Sequence, residues 1–242
     1  MLRWRHAAID PKQTLTSSIS RDHSVKQKLL VLSGAADPSA PRSQGRYKLV
    51  VEEALRRGYE VPQVVAWKGQ DSAGGGTMDL TSASSQLAEL IRAHESEGSS
   101  YDVVAFSWGA SVYLNTLSQM EEPAHLRNTV LWGIDEFWRF SEYFLTKEST
   151  RAMKEVLHDA GANISSDFFA HQVPNEVLLK RYPHSNPIRI GFGEKDNESP
   201  PPFAAYLESF VSKHNITYRV VPEVGHFVTD RDREYMDCLF GS

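Results

Sequence analysis

Short apolar runs alternate with amphipathic stretches along most of the chain. Six runs have the length and composition of buried strands: residues 28–33, 61–67, 103–106, 128–134, 188–192 and 217–221. Six longer stretches place apolar residues at helical spacing: residues 46–58, 82–97, 110–120, 150–160, 202–214 and 231–239. Strands that alternate with helices of this length are typical of βαβ units. We therefore predict an α/β fold with a mostly parallel central sheet and helices on both faces.

The alternation is interrupted at residues 135–186, which hold one helical stretch and many aromatic residues. An insertion of this size predicts a small lid or cap on one edge of the sheet. At the start of the chain, the alternating pattern of residues 1–24 predicts a leading pair of strands. Patches rich in glycine, proline and serine are too short to be domain linkers, so residues 1–242 are predicted to form a single domain.

The composition excludes several classes of protein. With 242 residues, 40% hydrophobic residues and a formal net charge of −5, the chain is too apolar for a disordered protein and too poor in lysine and arginine for a nucleic-acid binder. No run approaches the ~18 apolar residues that a membrane span needs, and the first residues lack the apolar core of a signal peptide. Cys238, the single cysteine, is predicted to be a small buried hydrophobic residue. We expect a cytoplasmic protein.

The turn after the run at 103–106 carries the most informative signal. Ser107 follows that apolar run directly, and a helical pattern begins soon after it. A serine at such a turn exposes its hydroxyl beside a helix N-terminus, where free N–H groups favour developing negative charge. Ala105 and Gly109 are small enough for the strand and the helix to approach closely, which gives the pattern Ala-x-Ser-x-Gly. The alternative is that Ser107 only caps the helix.

Two later loops supply an acid and a base. Asp196 follows the fifth predicted strand, and His226 follows the last one in a Gly-His loop. Because the carboxyl ends of parallel strands share one edge of a sheet, we expect both side chains to lie near Ser107. Three further carboxylates compete for the role of the acid: Glu194, Glu198 and Asp135.

In this order and spacing, these motifs resemble those of the α/β-hydrolase superfamily over nearly the whole chain. The resemblance implies the α/β-hydrolase fold and an enzyme that acts on an ester or a thioester. It also implies roles for the three residues: Ser107 as the nucleophile, His226 as the general base and later acid, and Asp196 as the residue that orients His226.

The same resemblance implies two backbone donors for the oxyanion of acyl transfer. One is the N–H of the residue after the nucleophile, here Trp108, and the other comes from the loop after the first strand. In that loop the donor is predicted to be the N–H of Ala35, with Ala36 as the alternative. Relatives often have His-Gly where this chain has Ser33-Gly34, so bracing of the loop by a side chain is not implied, whereas the backbone donor is.

The predicted lid begins with a dense set of aromatic residues: Phe137, Trp138, Phe140, Tyr143 and Phe144. Packing of the lid onto the body is the ordinary role of such residues. A density this high just after a strand also suits a pocket for an apolar or aromatic acyl group. We therefore predict these five residues as a substrate pocket.

No motif predicts a cofactor or a metal site. Residues 191–193 read Gly-Phe-Gly after a strand, but Asp196 stands where a dinucleotide fingerprint needs its third glycine. The three glycines at 74–76 lack the Gly-Lys-Ser/Thr of a phosphate loop. The motif His-Glu-x-x-His is absent, and no group of His, Cys, Asp and Glu has the spacing of metal ligands.

Three hypotheses about function follow. The first is a serine hydrolase acting on a small ester or thioester through an acyl-enzyme on Ser107. The second is an acyltransferase that passes the acyl group to an amine, an alcohol or the thiol of an acyl-carrier protein, although a net charge of −5 does not favour docking an acidic carrier. The third is a non-catalytic binding protein on the same fold, which would have no need of a complete Ser/Asp/His set.

Overall fold

In the computed structural model of this chain, the described residues are 27–134, 147–165, 168, 172–173, 175–196, 215–228 and 232–241. The predicted leading strands at 1–24 and the predicted helix at 202–214 lie outside these residues. All other predicted strands and helices fall within them and are present.

In the part of the chain that the structure describes, six strands form one central sheet: β1 (Lys28–Leu32), β2 (Gln63–Val65), β3 (Tyr101–Phe106), β4 (Leu126–Trp132), β5 (Ile188–Gly193) and β6 (Ile216–Val221). Their order is β2-β1-β3-β4-β5-β6, and every neighbouring pair is parallel. The prediction of a mostly parallel sheet is confirmed. The strand order reverses between β1 and β3, and α/β proteins bind ligands in the crevice at such a point.

Among the described residues, six α-helices accompany the sheet: α1 (Pro41–Arg56), α2 (Leu80–Glu97), α3 (Trp108–Leu117), α4 (Lys147–Asp159), α5 (Asn175–Arg181) and α6 (Arg233–Phe240). Helix α1 begins at Pro41 rather than at residue 46, because the fixed φ of proline suits a first helical turn. The sequence pattern does not predict α5, which is too short to show a helical period. None of the described helices is long and apolar enough to cross a membrane.

Apolar side chains cover both faces of the sheet. The central strand β3 is buried at all six positions. Along β1, Leu30 and Leu32 pack on the face covered by α2 and α3, whereas Leu29 and Val31 pack on the face covered by α1 and α6. Cys238 of α6 is buried as predicted, and burial raises the pKa of its thiol to about 11. The sheet is therefore a rigid platform for the loops at its ends.

The segment between β4 and β5 is partly described. After α4, residues 160–165 hydrogen-bond to two loops of the body. The N–H of Asp37 donates to the carbonyl of Ala160 (2.9 Å), and the N–H of Met78 donates to the carbonyl of Asn163 (2.7 Å). This part of the insertion is therefore docked beside the carboxyl ends of β1 and β2. A lid function for residues 135–186 stays a prediction.

Candidate active site

Ser107 lies on a sharp turn between β3 and α3. Its backbone has φ 50° and ψ −123°, a conformation that residues other than glycine rarely adopt. Strain of this kind costs of order 1–3 kcal/mol and is concentrated at functional sites. The N–H of Ser107 donates to the carbonyl of Trp132 at the end of β4 (2.8 Å), and its own carbonyl accepts from the N–H of Ala110 (2.9 Å). Bonds to two neighbouring elements thus hold the strained turn in place.

A close approach between α3 and the end of β1 explains the glycine two residues later. A Cβ atom at Gly109 would lie 2.3 Å from the carbonyl oxygen of Ser33. A side chain does not fit there, in agreement with the small residues expected around a serine turn. The contact fixes the turn against residues 33–37, which we call the β1 loop.

Ser107 is buried, with only 9% of its surface accessible. The β1 loop lies directly against it, because a Cβ atom at Gly34 would be 3.3 Å from the Cβ of Ser107 and 3.7 Å from its Oγ. The side chain lies in the crevice between the ends of β1 and β3.

His226 and Asp196 form a buried pair at the carboxyl ends of β6 and β5. Nδ1 of His226 lies 2.9 Å from Oδ2 of Asp196, and the two side chains are 6% and 0% exposed. The loops that carry them are joined by backbone bonds, including one from the N–H of Lys195 to the carbonyl of Val224 (2.8 Å). A hydrogen bond from Nδ1 to a carboxylate leaves Nε2 of a neutral imidazole as an acceptor.

Glu194, one of the three competing carboxylates, does not share this position. Glu194 accepts a hydrogen bond from the N–H of Glu223 (3.0 Å) and is exposed. Asp135 and Glu198 lie outside the described residues. Among the residues described, Asp196 is the acid that His226 contacts.

Gly133 marks the place where the serine turn and the His–Asp pair come together. It directly follows Trp132, whose carbonyl holds the N–H of Ser107. A Cβ atom at Gly133 would lie 3.0 Å from Nδ1 of His226 and 3.3 Å from Oδ2 of Asp196. The φ of Gly133 is also positive, at 57°. Glycine is therefore favoured here both by the backbone conformation and by the lack of space for a side chain. The structure thus brings all three predicted residues to one edge of the sheet.

Arg46 of α1 contacts the loop that carries His226. The sequence patterns do not predict this contact. Nη2 of Arg46 donates to the carbonyl of His226 (2.7 Å). The guanidinium carbon lies 4.4 Å from the ring centre of Phe227 and 5.0 Å from that of Phe106, which suits a cation–π interaction. The residue is 2% exposed. Because 180 positions separate Arg46 from His226, no local pattern could have revealed the contact.

The residues predicted to supply the oxyanion donors lie in the β1 loop and at the start of α3. In the β1 loop, the N–H of Gly34 is engaged, because it donates to the hydroxyl of Tyr47 (2.9 Å). The N–H groups of Ala35 and Ala36, and that of Trp108 at the start of α3, have no hydrogen-bond acceptor among the described residues.

The predicted aromatic pocket cannot be placed, because Phe137, Trp138, Phe140, Tyr143 and Phe144 lie outside the described residues. The insertion nevertheless reaches the serine turn at another point. The indole N–H of Trp108 donates to Oε1 of Gln172 (2.9 Å), and its ring lies 5.3 Å from that of Phe168. Within the described part of the chain, no group of His, Cys, Asp and Glu could hold a metal ion.

Comparison with solved structures identifies the architecture. An N-formylmaleamic acid deformylase from Pseudomonas putida superposes with a TM-score of 0.59 at 14% identity, over 88% of this chain and 91% of that one. A structure from a study of carboxylesterases of Nitrososphaera gargenis gives a TM-score of 0.58 at 13% identity, over 90% and 89% of the two chains. The mouse alpha/beta hydrolase domain-containing protein 10 gives 0.53 at 10% identity, over 86% and 84%.

These matches show the α/β-hydrolase fold, which confirms the resemblance carried by the sequence motifs. No protein-family profile matches the sequence, and no curated protein matches it significantly. The likeness therefore lies in the fold.

Proposed function

We propose that this protein is a serine hydrolase that cleaves an ester or a thioester through an acyl-enzyme on Ser107. The observation that carries the proposal is the meeting, around Gly133, of a strained serine turn with a buried His–Asp pair. A histidine with one ring nitrogen held by a carboxylate can use the other as a base. The fold supports the proposal, since similar structures include a deformylase and a carboxylesterase.

In the first half of the reaction, Oγ of Ser107 bonds to the carbonyl carbon of the substrate while its proton moves to Nε2 of His226. Asp196 accepts the hydrogen bond from Nδ1 and stabilises the imidazolium that forms. The tetrahedral oxyanion accepts from the N–H groups of Ala35 and Trp108. The bond to the leaving group then breaks, and that group departs with the proton from Nε2.

In the second half, His226 takes a proton from a water molecule as the water oxygen attacks the acyl carbon. The same two N–H groups stabilise the second oxyanion. Collapse breaks the bond to Oγ of Ser107, which recovers its proton from Nε2, and the carboxylic acid leaves. The N-terminus of α3 lies beside both oxyanions and contributes its positive dipole end.

Turnover of a panel of aryl esters and thioesters tests the proposal. Ser107→Ala should lower kcat by ~10⁴-fold or more, because the nucleophile is lost. Ser118→Ala is the matched control, since Ser118 lies at the other end of α3 and its hydroxyl donates to the carbonyl of Asn115. The proposal fails if folded wild-type protein turns over none of the panel, or if both variants retain equal activity.

The acyl group and its final acceptor are the finer parts of the proposal. A preference for apolar or aromatic acyl groups would appear as a higher kcat/KM for phenylacetyl and longer alkanoyl esters than for acetyl esters. Added thiols or amines distinguish hydrolysis from transfer, because a transferase forms a new thioester or amide at the expense of free acid. Hydrolysis is expected to dominate.

A further inference from the structure

Gln70 follows β2, and its side chain is completely buried. Its Nε2 donates to three successive carbonyls of the β1 loop, those of Gly34 (2.9 Å), Ala35 (3.1 Å) and Ala36 (3.0 Å). Because a primary amide carries two hydrogens, at least one is shared between two carbonyls. The side chain of Gln70 thus orients the carbonyls of three consecutive residues toward itself.

The other end of the same amide is equally constrained. Oε1 of Gln70 accepts from the backbone N–H of Trp67 (2.7 Å) and from the hydroxyl of Ser33 (3.1 Å). The indole N–H of Trp67 donates in turn to the carbonyl of Ser33 (2.7 Å). With both ends engaged and no exposure to water, the amide has one orientation.

The geometry of the peptide bond then fixes the direction of the N–H groups in the β1 loop. In a planar trans peptide, the N–H points opposite to the carbonyl of the preceding residue. Since the carbonyls of Gly34 and Ala35 face Gln70, the N–H groups of Ala35 and Ala36 point away from it. Gly34 meanwhile lies against the Cβ and Oγ of Ser107.

We infer that Gln70 is a positioning residue that aims the Ala35 N–H at the oxyanion formed on Ser107. The inference rests on the proposed hydrolase function and adds a residue that the sequence motifs do not contain. It also explains how a loop that begins Ser33-Gly34 is braced: the hydroxyl of Ser33 and the amide of Gln70 act together.

A pair of glutamine variants tests this inference kinetically. Gln70→Met keeps the length of the side chain and removes its hydrogen bonds. Gln86→Met is the matched control, because Gln86 also joins two backbone groups near β2, those of Ala66 and Lys68, but does not touch the β1 loop.

Gln70→Met should lower kcat by about 10–100-fold with KM within about threefold, since loss of an oxyanion donor costs ~10²–10³ and misorientation loses part of that. A trifluoromethyl ketone binds as a tetrahedral oxyanion adduct, and its affinity for Gln70→Met should be lower by a similar factor. Gln86→Met should leave both values near those of wild type. Folded Gln70→Met with unchanged kcat, or with a rise in KM alone, overturns the inference.

A second variant guards against failure to fold. Gln70→Glu preserves the shape and the two bonds accepted from Trp67 and Ser33. Burial against carbonyl oxygens protonates its carboxyl group, which then has one hydrogen for the three carbonyls in place of two. This variant should show the same split between kcat and KM. Equal activity of Gln70→Glu and wild type contradicts the inference.

A structural measurement separates this inference from the proposed function. In amide proton–nitrogen NMR spectra, Gln70→Met or Gln70→Glu should shift the Ala35 and Ala36 signals, whereas Gln86→Met should not. If wild type proves inactive but these signals move, the hydrolase proposal fails and the brace stands. If activity depends on Ser107 but the signals stay in place, the inference about Gln70 fails alone.

Discussion

A buried aspartate at one end of the sheet can be compared with a buried aspartate at the other, and the two differ in the donors that hold them. At the carboxyl ends of the strands, Asp196 faces Nδ1 of His226. At the amino end of β3, Asp102 is 5% exposed. Four neutral donors hold it: the amide of Gln27 (2.5 Å), the hydroxyl of Tyr59 (2.6 Å), and the backbone and side-chain N–H groups of Asn128 (3.1 and 3.0 Å).

Because both aspartates are buried, burial alone does not distinguish the proposed catalytic acid from a structural one. Burial, and then the hydrogen bond to Asp102, raise the pKa of Tyr59, so its hydroxyl stays protonated and serves as a fixed donor. Asp102 thereby ties β3 to β4 and to the segment after α1, which is a structural role. Asp196 instead holds an imidazole that has a second ring nitrogen for chemistry.

The largest difference between the two ends of the sheet is expected when each buried aspartate is replaced by asparagine. Asp196→Asn should lower kcat by ~10³–10⁴-fold, because an amide in place of the carboxylate favours the wrong tautomer of His226. The free energy of unfolding should change much less than for the other acid. Ester turnover and urea denaturation of the same preparation measure both. Full activity in Asp196→Asn would assign the acid to another carboxylate.

Asp102→Asn should give the opposite result. Its NH2 group would face donors instead of accepting from them, which should cost about 2–4 kcal/mol of unfolding free energy. The kcat per folded molecule should stay within about threefold of wild type. A large loss of kcat in folded Asp102→Asn would remove the contrast between the two ends.

Arg46→Met tests how far the position of His226 depends on its hydrogen bond with Arg46. The variant keeps much of the side-chain volume and removes the donor to the carbonyl of His226. A displaced imidazole should lower kcat by about 10-fold, and the unsatisfied carbonyl should cost about 1–3 kcal/mol. Arg57→Met is the control, because Arg57 directly follows the same helix and donates to Glu53 and to the carbonyl of Gly241, not to the loop of His226. Identical kinetics in both variants would show that Arg46 does not position His226.

Tyr59→Phe makes the smallest change, at the structural end. Loss of one hydrogen bond to a charged acceptor should cost about 1–2 kcal/mol without changing kcat. Because the folded-state pKa of Tyr59 is raised above 10.0, the stability that its hydroxyl supplies is present below pH 10 and lost as pH rises further. The gap between wild type and Tyr59→Phe in urea denaturation should therefore narrow above that pH. A gap independent of pH would contradict this role.

The parts of the molecule that sequence could predict are those written in local patterns. The strand–serine–helix turn at Ser107 and the loops of Asp196 and His226 each follow an apolar run. Parallel strand ends share an edge, so their meeting could be anticipated before the structure.

The remaining parts depend on contacts between distant segments. Gly133 is one glycine among 15, and only its packing against His226 and Asp196 distinguishes it. Gln70 and Arg46 are polar residues in an unremarkable loop and helix, and their partners lie 34 to 36 and 180 positions away. The packing of the β1 loop against Ser107 could not be predicted either, because a local sequence pattern describes one segment at a time.

The most direct test of the central claim is the rate at which a fluorophosphonate labels Ser107, read by intact and peptide mass spectrometry, in wild type, Asp196→Asn and Asp102→Asn at matched folded fractions. Wild type and Asp102→Asn should label at Ser107 at rates within about threefold of each other, and Asp196→Asn should label at least ~100-fold more slowly. Folded wild-type protein that never labels, or equal slowing in both variants, would contradict the account.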